Sequence, residues 1–160
     1  MKIIIRSRKA VESIAKTPFS IKTAIISIVD YGDEEVHFEN IPQEFLRLSF
    51  DDVDGDVFID ELGRSKLILL EERLKIEEKY KMISDAQAEQ IAEFYKRIEG
   101  KVQCLICQCE HGQSRSAAVA AALLEYRYKS GIKVFSDDNY YPNKYVFRKV
   151  LKALRGECSE

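Results

Sequence analysis

The sequence contains no tryptophan, only two histidines, three prolines and seven glycines. With so few chain-breaking residues there is no linker, repeat or low-complexity tract to divide it. Apolar runs are short too. The longest is Ala117 to Leu124, far below the roughly 18 residues a membrane-spanning helix needs. An excess of either charge is also missing: 25 basic residues face 27 acidic ones, for a net charge of −2. No global basic field exists to draw in nucleic acid or anionic lipid, so neither nucleic acid nor membrane is an expected partner. At the N-terminus Lys2 and three isoleucines run straight into Arg6, Arg8 and Lys9. That leaves no apolar segment of signal-peptide length, and the expectation is a cytoplasmic protein.

What is present is enough for one self-sufficient core. A chain of 160 residues reads as a single domain, residues 1–160, burying about 70% of its unfolded surface without help from disulfides or metals. Of the four cysteines, Cys104, Cys107 and Cys109 crowd into one apolar segment and read as thiols in a reducing compartment. Cys104 and Cys107 would point to opposite faces of a strand and pack as small hydrophobic residues.

Short β-rich runs occur at Lys2 to Arg6, Thr23 to Val29, Phe45 to Phe50 and Val102 to Cys107, with helix-length segments between them. The alternation predicts an α/β fold, a central mostly parallel sheet flanked by helices. Ser84 and Gln87 form a capping box before a helix at Asp85 to Ile98, with Ile91, Phe94, Tyr95 and Ile98 on one face and Gly100 beyond its end. A second helix should run from Ser114 to Lys129, its alanines allowing close approach to a sheet and Gly131 ending it. Ser65 to Lys81 and Asn143 to Leu154 are helical in pattern as well.

Between the last strand and the alanine-rich helix lies Cys109-Glu110-His111-Gly112-Gln113-Ser114-Arg115-Ser116. Cys-x5-Arg alone is expected by chance about 0.25 times in this composition, but adding the Gly and the Ser lowers that to about 0.0008. A five-residue turn at a helix N-terminus curls backbone N–H groups around one anion and adds the positive end of the helix dipole. Gly112 permits a backbone conformation that a Cβ would penalise, and Arg115 offers a planar fork to two phosphate oxygens. The same surroundings favour a thiolate at Cys109, a nucleophile beside phosphorus. Ser116 is suited either to donate its hydroxyl to the sulfur or to cap the helix. Glu110, His111, Gly112, Gln113, Ser114 and Arg115 would line the substrate.

These residues resemble the Cys-x-x-Gly-x-x-Arg-Ser/Thr signature of the protein tyrosine phosphatase superfamily, in a size similar to its compact dual-specificity or prokaryotic members. The resemblance implies the fold of that family, with its phosphate loop between a central strand and a helix. It also implies a cysteinyl-phosphate intermediate, an aspartic general acid on a separate loop, and neither metal nor cofactor. Phe45 to Asp52 looks like the family's strand leading into the acid loop. By that match Asp52 is the first candidate for the acid, with Asp51 second and Asp54 or Asp56 after them. The expected substrates are phosphorylated proteins, of phosphotyrosine or dual specificity, or small aryl phosphates. The loop carries Glu110, His111 and Gln113, where a polyanionic inositol phosphate would favour several basic residues.

One departure is Gln108, where the family usually has His before the nucleophile. Gln can hydrogen-bond the loop backbone but carries no charge, so the amides and Arg115 must stabilise more of the thiolate, against the charge of Glu110. The rival reading is a non-catalytic phosphate-binding module. Metal readings fail on spacing. A calcium loop from Asp52 would need Gly at its sixth place and Glu at its twelfth, where Val57 and Gly63 stand. Cys104, Cys107, Cys109 and His111 lack a second pair to close a zinc tetrahedron. Tyr140 and Tyr141, in a turn before the last helix, are expected to cover the end of the sheet rather than stack on a substrate ring.

Overall fold

The structure, a computed structural model, describes residues 1–53, 75 and 78–157. Its described strands are β1 (Lys2–Ser7), β2 (Thr23–Val29), β3 (Glu44–Ser49) and β4 (Cys104–Cys109). They form one sheet in the order β1-β4-β2-β3, with every neighbouring pair parallel. In register, Ser7 stands beside Cys109, Ser27 beside Gln108 and Val29 beside Ser49. β2 and β4 are buried along their whole length, as central strands covered on both faces must be, which explains why they are mostly apolar. β4 continues two residues past the expected end, so that Cys109 is its last residue.

The helices are α1 (Arg8–Ile14), α2 (Asp85–Ile98), α3 (Arg115–Tyr128), α4 (Ile132–Phe135) and α5 (Lys144–Arg155). One face of the sheet packs Ile26, Ile28, Leu105 and Cys107 against α2, α3 and α5. The other packs Ile25, Val29, Cys104 and Ile106 against Val11 and Ala15 of the α1 region and against Val36 and Phe38. Cys104 and Cys107 thus serve opposite faces, as the strand period requires. Among the described residues no helix is long and apolar enough to cross a membrane.

α2 begins where expected, with the reciprocal Ser84–Gln87 capping box formed. The Gln87 side-chain amide also donates to the Ser49 carbonyl at 3.0 Å, tying this helix to the end of β3. α3 is the central helix, with Arg115 through Leu123 all buried. Its five alanines from Ala117 to Ala122, interrupted only by Val119, let the backbone approach the sheet, where a larger side chain would overpack by about 1–3 kcal/mol. Gly131 does not end α3. Lys129 does, in the left-handed conformation, while at Gly131 a Cβ would stand 2.7 Å from the Ala121 carbonyl oxygen. The glycine therefore serves close packing rather than capping.

α1 has no counterpart among the sequence expectations. It is a seven-residue helix that starts directly from β1, with Ser7 accepting from the Ala10 N–H, and two turns are too short for a periodic apolar stripe to register. The helix expected over Ser65 to Lys81 lies almost wholly outside the described residues, as do Asp54, Asp56 and Cys158.

Candidate active site

All four strands are parallel, so their carboxyl ends lie on one edge, the usual location for a ligand in an open α/β sheet. There β4 delivers Cys109, β2 delivers Asp30, and β3 delivers Phe50, Asp51 and Asp52. The loop from Glu110 to Ser114 joins Cys109 to α3. Its shape is set from beneath. Gly112 has φ +68° and lies against β1, where a Cβ would stand 2.5 Å from the Ser7 nitrogen and 2.6 Å from the Arg6 carbonyl carbon. The Arg8 N–H donates to the Glu110 carbonyl at 3.1 Å, and the Tyr141 N–H donates to the Gln113 carbonyl at 2.9 Å. With the loop carbonyls drawn outward, the N–H groups of His111 through Ser116 have no acceptor among the described residues. A run of free donors at a helix N-terminus is suited to holding an anion.

Cys109 is buried, with its Sγ 3.0 Å from the Ser116 Oγ, itself fully buried. Ser116 thus faces the sulfur. Arg115 has a side chain only 4% exposed, ion-paired through Nη1 to the Asp30 carboxylate at 2.6 Å. The same Nη1 donates to the Phe50 carbonyl at 2.6 Å. Its Nε is buried and has no partner among the described residues. A buried guanidinium N–H without an acceptor costs roughly 1–3 kcal/mol or more, a deficit that a bound oxyanion would remove.

The adjacent aspartates are held in different ways. Asp51 accepts from two backbone N–H groups, Tyr31 at 3.0 Å and Lys81 at 2.8 Å, and so braces the loop after β3. Asp52 is exposed and turns toward the loop after Cys109. Its Oδ1 accepts from the Ser114 hydroxyl and from the Asn143 amide, each at 2.8 Å. Asn143 also caps α5, accepting from the Val146 N–H. The loop after β3, the loop after Cys109 and α5 therefore meet at one carboxylate.

Of the residues singled out from sequence, Cys109, Gly112, Ser114, Arg115, Ser116 and Asp52 come together. Glu110 directs its carboxylate to Arg8 at 3.8 Å, which offsets its charge beside the sulfur. His111 and Gln113 stand exposed on the rim. Gln108 departs from expectation, because it bonds to β2 rather than to the loop. Its Oε1 accepts from the Ser27 hydroxyl at 2.6 Å, and its Nε2 lies 3.4 Å from the Ile28 carbonyl. Tyr141 also departs: it is 71% exposed, whereas Tyr140 packs against the core. Burial pushes the Cys107 and Cys104 thiols up, leaving them inert at neutral pH. Asp30 and the Phe50 carbonyl escaped sequence reasoning. The one available signal was the position of Asp30, a charged residue directly after a mostly apolar strand.

The fold is that of the dual-specificity and protein tyrosine phosphatases. The chain aligns over 97% of its length with 92% of human DUSP28, at 16% identity and a TM-score of 0.54. It aligns over 97% with 91% of PTPMT1 in complex with PI(5)P, at 13% identity and a TM-score of 0.52. The alignment with Tk-PTP in the active form spans 99% of this chain and 94% of that one, at 14% identity and a TM-score of 0.52. No family model and no curated protein matches the sequence. The likeness is one of fold.

Proposed function

We propose that the chain is a cysteine-dependent phosphatase of the protein tyrosine phosphatase superfamily, a single phosphatase-like domain over residues 1–160. The observation that carries this reading is the buried Nε of Arg115, unpartnered among the described residues, at the N-terminus of the helix that follows Cys109. A tetrahedral oxyanion held by that N–H and the loop amides would bring its central atom next to Sγ. Cys109 attacks phosphorus, forming an S–P bond as the bond to the leaving oxygen breaks, and Asp52 gives that oxygen its proton. Water then attacks the phosphoenzyme, Asp52 takes the water's proton, and the sulfur departs as a thiolate stabilised by the Ser116 hydroxyl. Arg115 and the loop amides stabilise the equatorial oxygens in both steps. The scheme calls for no metal or cofactor.

Phosphotyrosine-type or dual-specificity substrates fit best, on phosphorylated proteins or small aryl phosphates. The side chains of the loop rim, Glu110, His111 and Gln113, add no cation for a polyanionic sugar phosphate, although one fold neighbour, PTPMT1, is seen with PI(5)P. Cys104, Cys107 and Cys109 are free thiols, which fits a reducing, cytoplasmic compartment.

The test is release of nitrophenol from para-nitrophenyl phosphate in the presence of a chelator. Turnover abolished by Cys109→Ser supports the reading. Phosphate binding without release supports the second reading, a non-catalytic phosphate-binding module. That alternative is favoured by one observation: Gln108, neutral and engaged with β2, adds nothing to the stabilisation of the sulfur anion.

A further inference from the structure

We propose that Tyr141 is a specificity-determining residue, its ring forming a wall of the anion site against which the aryl group of a phosphotyrosine-type substrate stacks. The inference rests on the phosphatase reading of that site and names the side chain that selects aryl over alkyl phosphates. The groups that hold the phosphate cannot make that choice, because the phosphoryl head is the same in both. The loop after Cys109 adds only polar side chains at its rim: His111 and Gln113 stand exposed, and the Glu110 carboxylate is directed to Arg8. An apolar wall has to come from another segment.

The segment from Tyr141 to Asn143 lies along that loop and is pinned to it. The Tyr141 N–H donates to the Gln113 carbonyl at 2.9 Å, and the Asn143 N–H donates to the Ser114 carbonyl at 3.3 Å. Between them stands Pro142, whose ring fixes its own φ. The Asn143 side chain, only 4% exposed, donates to Asp52 at 2.8 Å and accepts from the Val146 N–H at 3.0 Å. On the other side of Tyr141, the Tyr140 ring packs against the core and its N–H donates to the Asp137 carbonyl at 3.0 Å. The Tyr141 backbone is therefore held from both directions, while the residue is 71% exposed, so most of its surface is uncovered. A lone exposed aromatic is ordinary on a protein surface. This one is distinguished by its anchorage, because among the described residues it is the one aromatic residue whose backbone bonds to the loop after Cys109. Tyr31, also exposed, is tied to Asp51 instead. A free ring on backbone that is already ordered stacks on a ligand with little further loss of entropy.

Phenylphosphonate and methylphosphonate carry the same anionic head and differ by the ring, so the ratio of their affinities isolates the wall from the phosphate grip. As competitive inhibitors of para-nitrophenyl phosphate turnover, the two should differ in favour of phenylphosphonate in the parent. That ratio should fall about three- to tenfold in Tyr141→Ala, the range a single aromatic pair commands. Tyr141→Phe keeps the ring and should hold the ratio within about twofold of the parent. The bond to Gln113 comes from the backbone N–H, which alanine retains. A merely structural disturbance of the loop would weaken both inhibitors alike. Equal weakening of the two, an unchanged ratio in Tyr141→Ala, or a ratio lost as fully in Tyr141→Phe overturns the proposal and leaves the phosphatase reading standing. If the parent protein shows no turnover, the phosphatase reading fails, and calorimetric affinities for the same two phosphonates decide the inference separately. A parent preference for the phenyl compound that Tyr141→Ala abolishes supports it, and equal affinities in the parent overturn it.

Discussion

Gly112 and Ser7 touch through their backbones: a Cβ on the glycine would lie 2.5 Å from the Ser7 nitrogen. The loop after Cys109 thus rests on the junction between β1 and α1, which among the described residues is the one helix that begins without an intervening loop. Substituting Gly112 by Ala adds a steric clash with fixed backbone to the strain of φ +68°, and strain of this kind costs on the order of 1–3 kcal/mol. The loop cannot lift without breaking the Arg8 to Glu110 bond. Gly112→Ala should lower kcat/KM by about 100-fold through displaced oxyanion donors and shift the urea midpoint downward. Normal kinetics in a folded Gly112→Ala protein would show that the loop does not depend on this contact.

Ser116 stands 3.0 Å from the Cys109 sulfur, close enough to stabilise it as the leaving group of the second step of the proposed reaction. Ser116→Ala should slow hydrolysis of the phosphoenzyme more than its formation. A burst of nitrophenol followed by a steady state reduced about 10- to 100-fold is the expected trace in rapid-mixing experiments, in the range one lost charge-stabilising donor commands. A uniform slowing without a burst would assign Ser116 to packing alone.

The two neighbouring aspartates should separate cleanly by leaving group. Asp52 points to the phosphate loop, and Asp51 is consumed by the Tyr31 and Lys81 N–H groups. A proton donor matters most when the departing oxygen is basic. Asp52→Asn should therefore slow phenyl phosphate more than para-nitrophenyl phosphate, by a further factor of about ten. Asp51→Asn should lower thermal stability and reduce the rates for both substrates by the same ratio. Equal leaving-group sensitivity in the two variants would remove Asp52 from the role of acid.

Much of this arrangement was legible in the sequence because it is local. The capping box at Ser84 and Gln87, the apolar runs of β2 and β4, and the span from Cys109 to Ser116 each occupy one stretch of chain, where spacing alone carries the geometry. The elements that escaped are those that depend on distant partners. Asp30 meets Arg115 only because β2 lies beside β4, while β3 brings the Phe50 carbonyl to the same guanidinium. Gln108 could have bonded the loop on either side, and the buried Ser27 hydroxyl on the neighbouring strand decided the outcome. Gly131 resembled a helix terminator, but its real constraint is the Ala121 carbonyl of the helix it packs against. Tyr141 was expected to cover the sheet; its N–H is held by Gln113 in the phosphate loop instead, which leaves its ring in solvent.

A pH effect far from the catalytic loop follows from Tyr95. The residue is buried on α2, its ring edge-on to Tyr126 and its hydroxyl 3.4 Å from the Glu99 carboxylate. Burial first, and the Glu99 charge second, push its pKa up to about 12 from the usual 10.0. The folded chain therefore holds the phenolic proton more tightly than the unfolded chain does. The stability this group contributes is fully present below pH 10 and is lost as the pH rises from 10 toward 12. Tyr95→Phe has no proton to lose and keeps most of the buried ring. Urea unfolding across this window should show the parent losing stability more steeply than the variant, the two curves running parallel below about pH 9. Parallel curves throughout would mean that the phenol is not buried in the folded protein, and with it the packing of α2 against α3 would have to be redrawn.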